Sequence, residues 1–183
     1  MKEQIKQLIV DNINAWTDTD IYVISLFLYD NNDNPCKPTV TLGYNTERKV
    51  RSTTEFASDE DEARWNYAFW LQNNFFVFGK NETAETVKKW ITTSGFPYFE
   101  DNDISWDNEE AIEKASEITN AFVSMLIDIV SDIHKLGILT QKFGKELPII
   151  IHELEYYDEI AEQNIKANGE QLVKNFAEWC ICC

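Results

Sequence analysis

His152 and Glu153, followed closely by Glu155, Tyr156, Asp158 and Glu159, form the densest group of chemistry-bearing side chains in the sequence. They come directly after Pro148-Ile149-Ile150-Ile151, a short apolar run of strand character. A strand there delivers His152 and Glu153 at its carboxyl end, where ligand sites form in α/β architectures. Glu155, Asp158, Glu159 and Glu162 are spaced to gather on one side of a helix over Tyr156–Lys166. Carboxylates in that arrangement offer oxygen ligands of the kind Mg²⁺ and Ca²⁺ require. Two observations weigh against a metal centre. His152-Glu153 lacks the second histidine of a zinc-protease helix, since position 156 is Tyr. The other histidine, His134, belongs to a separate helical run and would have to meet His152 in space. The group is therefore read as a binding set, with no catalytic residue, metal ligand or cofactor assigned. A metal-dependent enzyme using the His152–Asp158 cluster, with His134 as a further ligand, is the alternative. The plain role for His152 is a hydrogen bond near a strand end.

Other enzyme signatures are missing. The six glycines are scattered and build neither a dinucleotide-binding turn nor a phosphate loop. No Gly-x-Ser-x-Gly elbow occurs. Cys36 stands in a Pro-flanked turn, and Cys180, Cys182 and Cys183 crowd the end of the chain as a short Cys-rich tail at 180–183. Such spacing is poor material for a disulfide framework, so a reduced, cytoplasmic protein is expected. The N-terminal residues lack the apolar segment of a secretory signal. Trp65, Trp70 and Trp90 and the aromatic stretch 96–99 could line a recognition groove, but tryptophans at helical spacing more often belong to a core.

With 32 acidic and 16 basic residues the chain carries a formal net charge of −16. Phosphate contacts need clustered Lys and Arg, so nucleic acid is excluded as a partner, and an anionic membrane is disfavoured for the same reason. A soluble protein, or one that meets a basic partner, remains. Six Trp and eleven Phe argue against disorder.

The elements that must position these groups can be read from periodicity. Asn108–Leu136 carries apolar residues at Ala111, Ala115, Ile118, Phe122, Met125, Ile129, Ile133 and Leu136, every third or fourth position. That spacing predicts one long central helix, on the order of 40 Å, with Asp107 and Glu110 as a capping box and Gly137 as a left-handed stop. Met1–Trp16 predicts a first helix. Ile21–Tyr29, apolar on both faces, predicts a central strand, followed by a turn at 30–35 and a second strand at Thr39–Tyr44. Helices are predicted from Ser58 (as N-cap) to Leu71, over Glu82–Thr93, and over Tyr156–Lys166 and Glu170–Trp179, which Asn168-Gly169 divides. The stretch 73–80 reads as a strand or a buried aromatic loop. The whole predicts one α+β domain over 1–183: a small, mostly antiparallel sheet packed against several helices.

Three stretches, Ile24–Tyr29 with Thr41–Glu47, Trp65–Trp70, and Pro148–Glu159 with Asn164 and Asn168-Gly169, together resemble a bacterial family catalogued as a domain of unknown function (DUF 4303-like). The resemblance implies a small bacterial protein without an assigned activity and carries no site residues. The expected function is a non-enzymatic acidic protein-binding module, such as an immunity protein against a basic toxin. Oligomeric state is not legible.

Overall fold

The computed structural model describes residues 1–101 and 109–182. The chain folds in the order α1 (Lys2–Ala15), β1 (Ile21–Asp30), β2 (Pro38–Thr46), α2 (Glu47–Thr53), α3 (Glu60–Trp65), β3 (Phe76–Phe78), α4 (Ala84–Thr93), α5 (Glu109–Lys135), α6 (Ile138–Phe143), β4 (Ile149–His152), α7 (Asp158–Asn168) and α8 (Glu170–Cys182). The sheet order is β3-β2-β1-β4; β1–β2 and β2–β3 are antiparallel and β1–β4 is parallel. The α+β architecture is as expected, and β1 is central.

Alternation along β1 and β4 divides the interior into two cores. Ile24, Leu26, Leu28, Ile149 and Ile151 face one side, where they pack on Ile5, Ile9 and Ile13 of α1 and on α5. Ile150 faces the other, with Val50 of α2, Trp65 of α3 and Phe176 of α8. In α5, Ile118, Phe122, Leu126, Ile129, Val130 and Ile133 are fully buried. At about 1.5–3 kcal/mol per buried side chain, this helix is a principal source of stability. Leu136 departs from the predicted stripe at 59% exposed, because the helix ends at Lys135 and Gly137 (φ 65) turns the chain into α6. The predicted capping box at Asp107 lies outside the described residues.

Several boundaries differ from the sequence reading. Asp59, rather than Ser58, caps α3, accepting from the Glu62 N–H at 2.8 Å. The polar stretch after Tyr44 contains α2, whose N-cap Thr46 accepts from Lys49 N–H. α7 begins at Asp158, leaving Glu155 and Tyr156 in the loop before it. Cys180 is no tail residue: it is buried in α8 with its Sγ 3.6 Å from the Tyr157 carbonyl, because the helix carries its apolar face to that point.

β4 is an edge strand whose outward backbone groups are covered by side chains of α7: Asn164 and Asn168, one turn apart, and Gln163, whose Nε2 donates to Ile151 O at 2.9 Å. Asn164 Oδ1 accepts from Ile151 N–H at 2.8 Å and its Nδ2 donates to Ile151 O at 2.7 Å. Asn168 does the same for Ile149, at 2.8 and 2.9 Å. The two amides take the place of a fifth strand, satisfying buried backbone groups and closing an edge to foreign pairing.

Candidate functional site

Because β1 and β4 run parallel, their carboxyl ends open at the same end of the sheet. β1 leaves at Asp30 into a tight turn in which Asn32 and Asp33 both adopt positive φ (59° and 54°). β4 hands on to the loop Glu153–Tyr157. Between these exits and the flank of α5 lies a cavity of about 470 Å³. Its polar lining is Asp30, Asp33, Glu153, Glu155, Thr119 and the Tyr157 hydroxyl; Leu28, Phe122 and Leu154 supply apolar surface. An adjoining cavity of about 430 Å³ shares Pro35, Thr119, Glu153 and Tyr157 and continues along α5 to Glu159 and Gln163 of α7.

Burial pushes the Asp30 carboxyl up to about 6, and the like charges of Glu153 and Asp33 add to the effect. Burial also raises Glu153, in spite of a hydrogen bond from Tyr157. The Tyr157 hydroxyl is in turn pushed up to about 12 by burial and by the neighbouring Glu153 charge. Among the described residues no Lys or Arg forms an ion pair with Asp30, Asp33, Glu153, Glu155, Asp158 or Glu159. Cations elsewhere are engaged: Arg64 with Glu47 at 2.9 Å, Lys88 with Glu100 at 2.9 Å, Lys2 with Asp128 at 3.1 Å. Asp30 and Glu153, half-buried in a cleft without a counter-charge among the described residues, make it a candidate functional site.

A second acidic cavity, about 660 Å³, lies between Ser58, Asp59, Glu62, Asn66, Glu155, Tyr156 and Trp179. Two of its three carboxylates are engaged within the fold, and the third, Glu155, also lines the strand-end cavity. Asp59 caps α3, and Glu62 accepts from Ser58 N–H at 2.6 Å.

The six residues singled out in the sequence divide accordingly. Glu153 and Glu155 line the strand-end cavity and Glu159 its extension. Asp158 is exposed in the first turn of α7. Tyr156 turns inward, packing on Phe176 and Trp179 with its hydroxyl accepting from Tyr67 N–H at 3.2 Å.

His152 is fully buried, which removes it from any surface role. Its Nδ1–H donates to the Glu153 carbonyl at 3.0 Å, so its Nε2 accepts from the Ser25 hydroxyl at 2.8 Å. Rings of Tyr67, Trp70 and Phe27 enclose it at 4.7, 5.4 and 5.6 Å between centroids. Burial in this box drives its pKa down to about 4, and the imidazole is neutral at pH 7. A Ser–His contact of this kind activates nucleophiles in some enzymes. Here Ser25 is 3% and His152 0% exposed, and no substrate reaches them. The pair satisfies buried polar groups.

His134 does not meet His152. It sits at the other end of β4, with Nδ1 2.6 Å from Glu146 and Nε2 3.0 Å from Asn168 Oδ1. Both ring nitrogens face oxygen atoms of neighbouring side chains. Among the described residues no three His, Cys, Asp or Glu converge closely enough to hold a metal ion.

Asp30, Asp33, Tyr157 and the apolar lip at Tyr29 and Leu154 were not among the sequence candidates. Asp30-Asn31-Asn32-Asp33 read only as turn composition, and nothing local ties it to Glu153. Trp65 and Trp70 are core residues, 6% and 3% exposed, and Trp90 packs on Phe122 at 5.8 Å between ring centroids.

No family model matches the chain, and neither a curated protein nor a solved structure matches it. Among the described residues no helix is long and apolar enough to cross a membrane.

Proposed function

We propose that the protein is a non-enzymatic binding module whose strand-end acidic cavity captures a basic protein in the bacterial cytoplasm, an immunity protein against a cationic toxin being its concrete form. The observation that carries this reading is the uncompensated set Asp30, Asp33 and Glu153, two of them held above the normal carboxylate range. Ionising Asp30 and Glu153 costs the isolated protein free energy, which a partner cation placed between them returns. Binding strength then draws on strain already present in the free protein. The wider excess of acid, −16 overall, adds long-range steering that speeds encounter more than it tightens the complex. The metal-enzyme alternative lacks a convergent donor set among the described residues.

The test is affinity capture from the native cell, with wild type beside an Asp30→Asn, Glu153→Gln variant. Wild type retains a basic protein that elutes as salt rises, and the variant does not. Capture of no basic protein at any ionic strength, or equal capture by the variant, defeats the proposal.

A further inference from the structure

The two adjoining cavities make one trough, and its lip is apolar as well as acidic. Leu154 (67% exposed), Tyr29 (47%) and Tyr157 (43%) border the first cavity, and Ile112 (39%) borders the second. Buried Leu28 and Phe122 form its floor. Large exposed apolar side chains gathered beside a cavity mark a docking surface, where such groups serve as anchors.

Resting on the reading of a basic partner, we infer that this trough is the docking surface and that its occupant is a segment of the partner carrying an apolar side chain flanked by Lys or Arg. Charge complementarity selects that chemistry. A purely apolar segment would seal Asp30 and Glu153 away from water with no counter-charge, which is strongly unfavourable. A purely cationic segment would balance the carboxylates and leave Leu154, Ile112 and the two tyrosine rings in water. A segment with both kinds of side chain satisfies the trough throughout. Its apolar residue fills the space over Phe122, and its cations reach Asp30, Glu153 and Glu155 at the lip.

The experiment is fluorescence anisotropy with two short labelled peptides of equal positive charge, one alternating Lys with Leu and Phe, the other Lys with Gly. Wild type binds the Leu/Phe peptide about tenfold more tightly. Leu154→Ser or Ile112→Ser abolishes that preference, whereas Leu136→Ser, which removes an exposed leucine (59%) away from the trough, leaves it intact. Asp30→Asn weakens both peptides. If the two peptides bind alike and Leu154→Ser changes neither, the trough is not the docking surface, while capture of a basic protein by wild type still upholds the broader reading. Failure of both peptides at low salt, with a basic protein still captured, overturns the trough alone. Failure of both together with no capture overturns both.

Discussion

Neutralising Asp30 should make the protein more stable at pH 7, the opposite of what removing a charged group from an acidic soluble protein is usually expected to do. The carboxyl is half-buried at the end of β1, and among the described residues it accepts no hydrogen bond and pairs with no cation, so Asp30→Asn removes a charge and breaks no contact. Its folded-state value, about 6, lies above its ordinary 3.8. A carboxyl raised in the folded state binds its proton more tightly there than when unfolded. Its contribution is therefore fully favourable below about pH 4, falls as pH rises from about 4 to 6, and is a constant penalty above. At about 1.4 kcal/mol per pH unit the ceiling of that penalty is about 3 kcal/mol. Water in the open cavity screens the charge, and about 1–2 kcal/mol is the working expectation. Urea unfolding of wild type and Asp30→Asn at a series of pH values measures it. The variant should be the more stable at pH 7, and its advantage should vanish below about pH 4. The difference between the two proteins cancels the titrating groups that do not interact with Asp30 and retains its coupling to Glu153 and Asp33. A variant less stable than wild type at pH 7, or an advantage that persists unchanged at low pH, would refute the claim that Asp30 is held ionised at a cost.

His152 gives the opposite slope. Its pKa falls from an ordinary 6.5 to about 4, so the folded protein resists protonation, and stability present above about pH 6.5 is lost as pH falls towards 4. That loss is up to about 3 kcal/mol. Its ring proton signals should show no titration between pH 5 and 8 in NMR spectra, and a midpoint near 6.5 would mean that the aromatic box is open to water. Asn164→Ala strips hydrogen bonds from Ile151 N–H, Ile151 O and Ile160 O at a fully buried site. About 2 kcal/mol of stability should go with it, since Ile151 N–H is left unpaired while Gln163 Nε2 still donates to Ile151 O at 2.9 Å. A urea-derived loss under about 1 kcal/mol would show that water replaces the amide.

Much of the local structure could be read from residue order, because periodicity is a short-range property. The apolar stripe of α5 from Ala115 to Ile133, the two-faced apolar run of β1 and the stop at Gly137 depend on neighbours a few positions away, and each appears where the pattern places it. The helix boundary near Ser58 was displaced because the side-chain cap at Asp59 chooses between adjacent polar residues on geometry that composition does not record, and α7 starts at Asp158 after an extended Tyr157 that makes no side-chain cap.

What residue types alone determined was an acidic, well-packed α+β chain whose densest group of polar side chains follows β4. Which of those groups meet solvent was decided by the tertiary structure. The parallel pairing that sets Phe27 beside His152 turns the histidine into the interior and brings the turn after β1 alongside the loop after β4. That register joins residues far apart in sequence, and so makes Asp30 and Glu153 neighbours. The same long-range packing sends Asn164 and Asn168 to the edge of β4 and His134 to its far end. Charge and periodicity are carried by each stretch of chain separately, whereas the energy of a buried carboxylate depends on what the fold places around it.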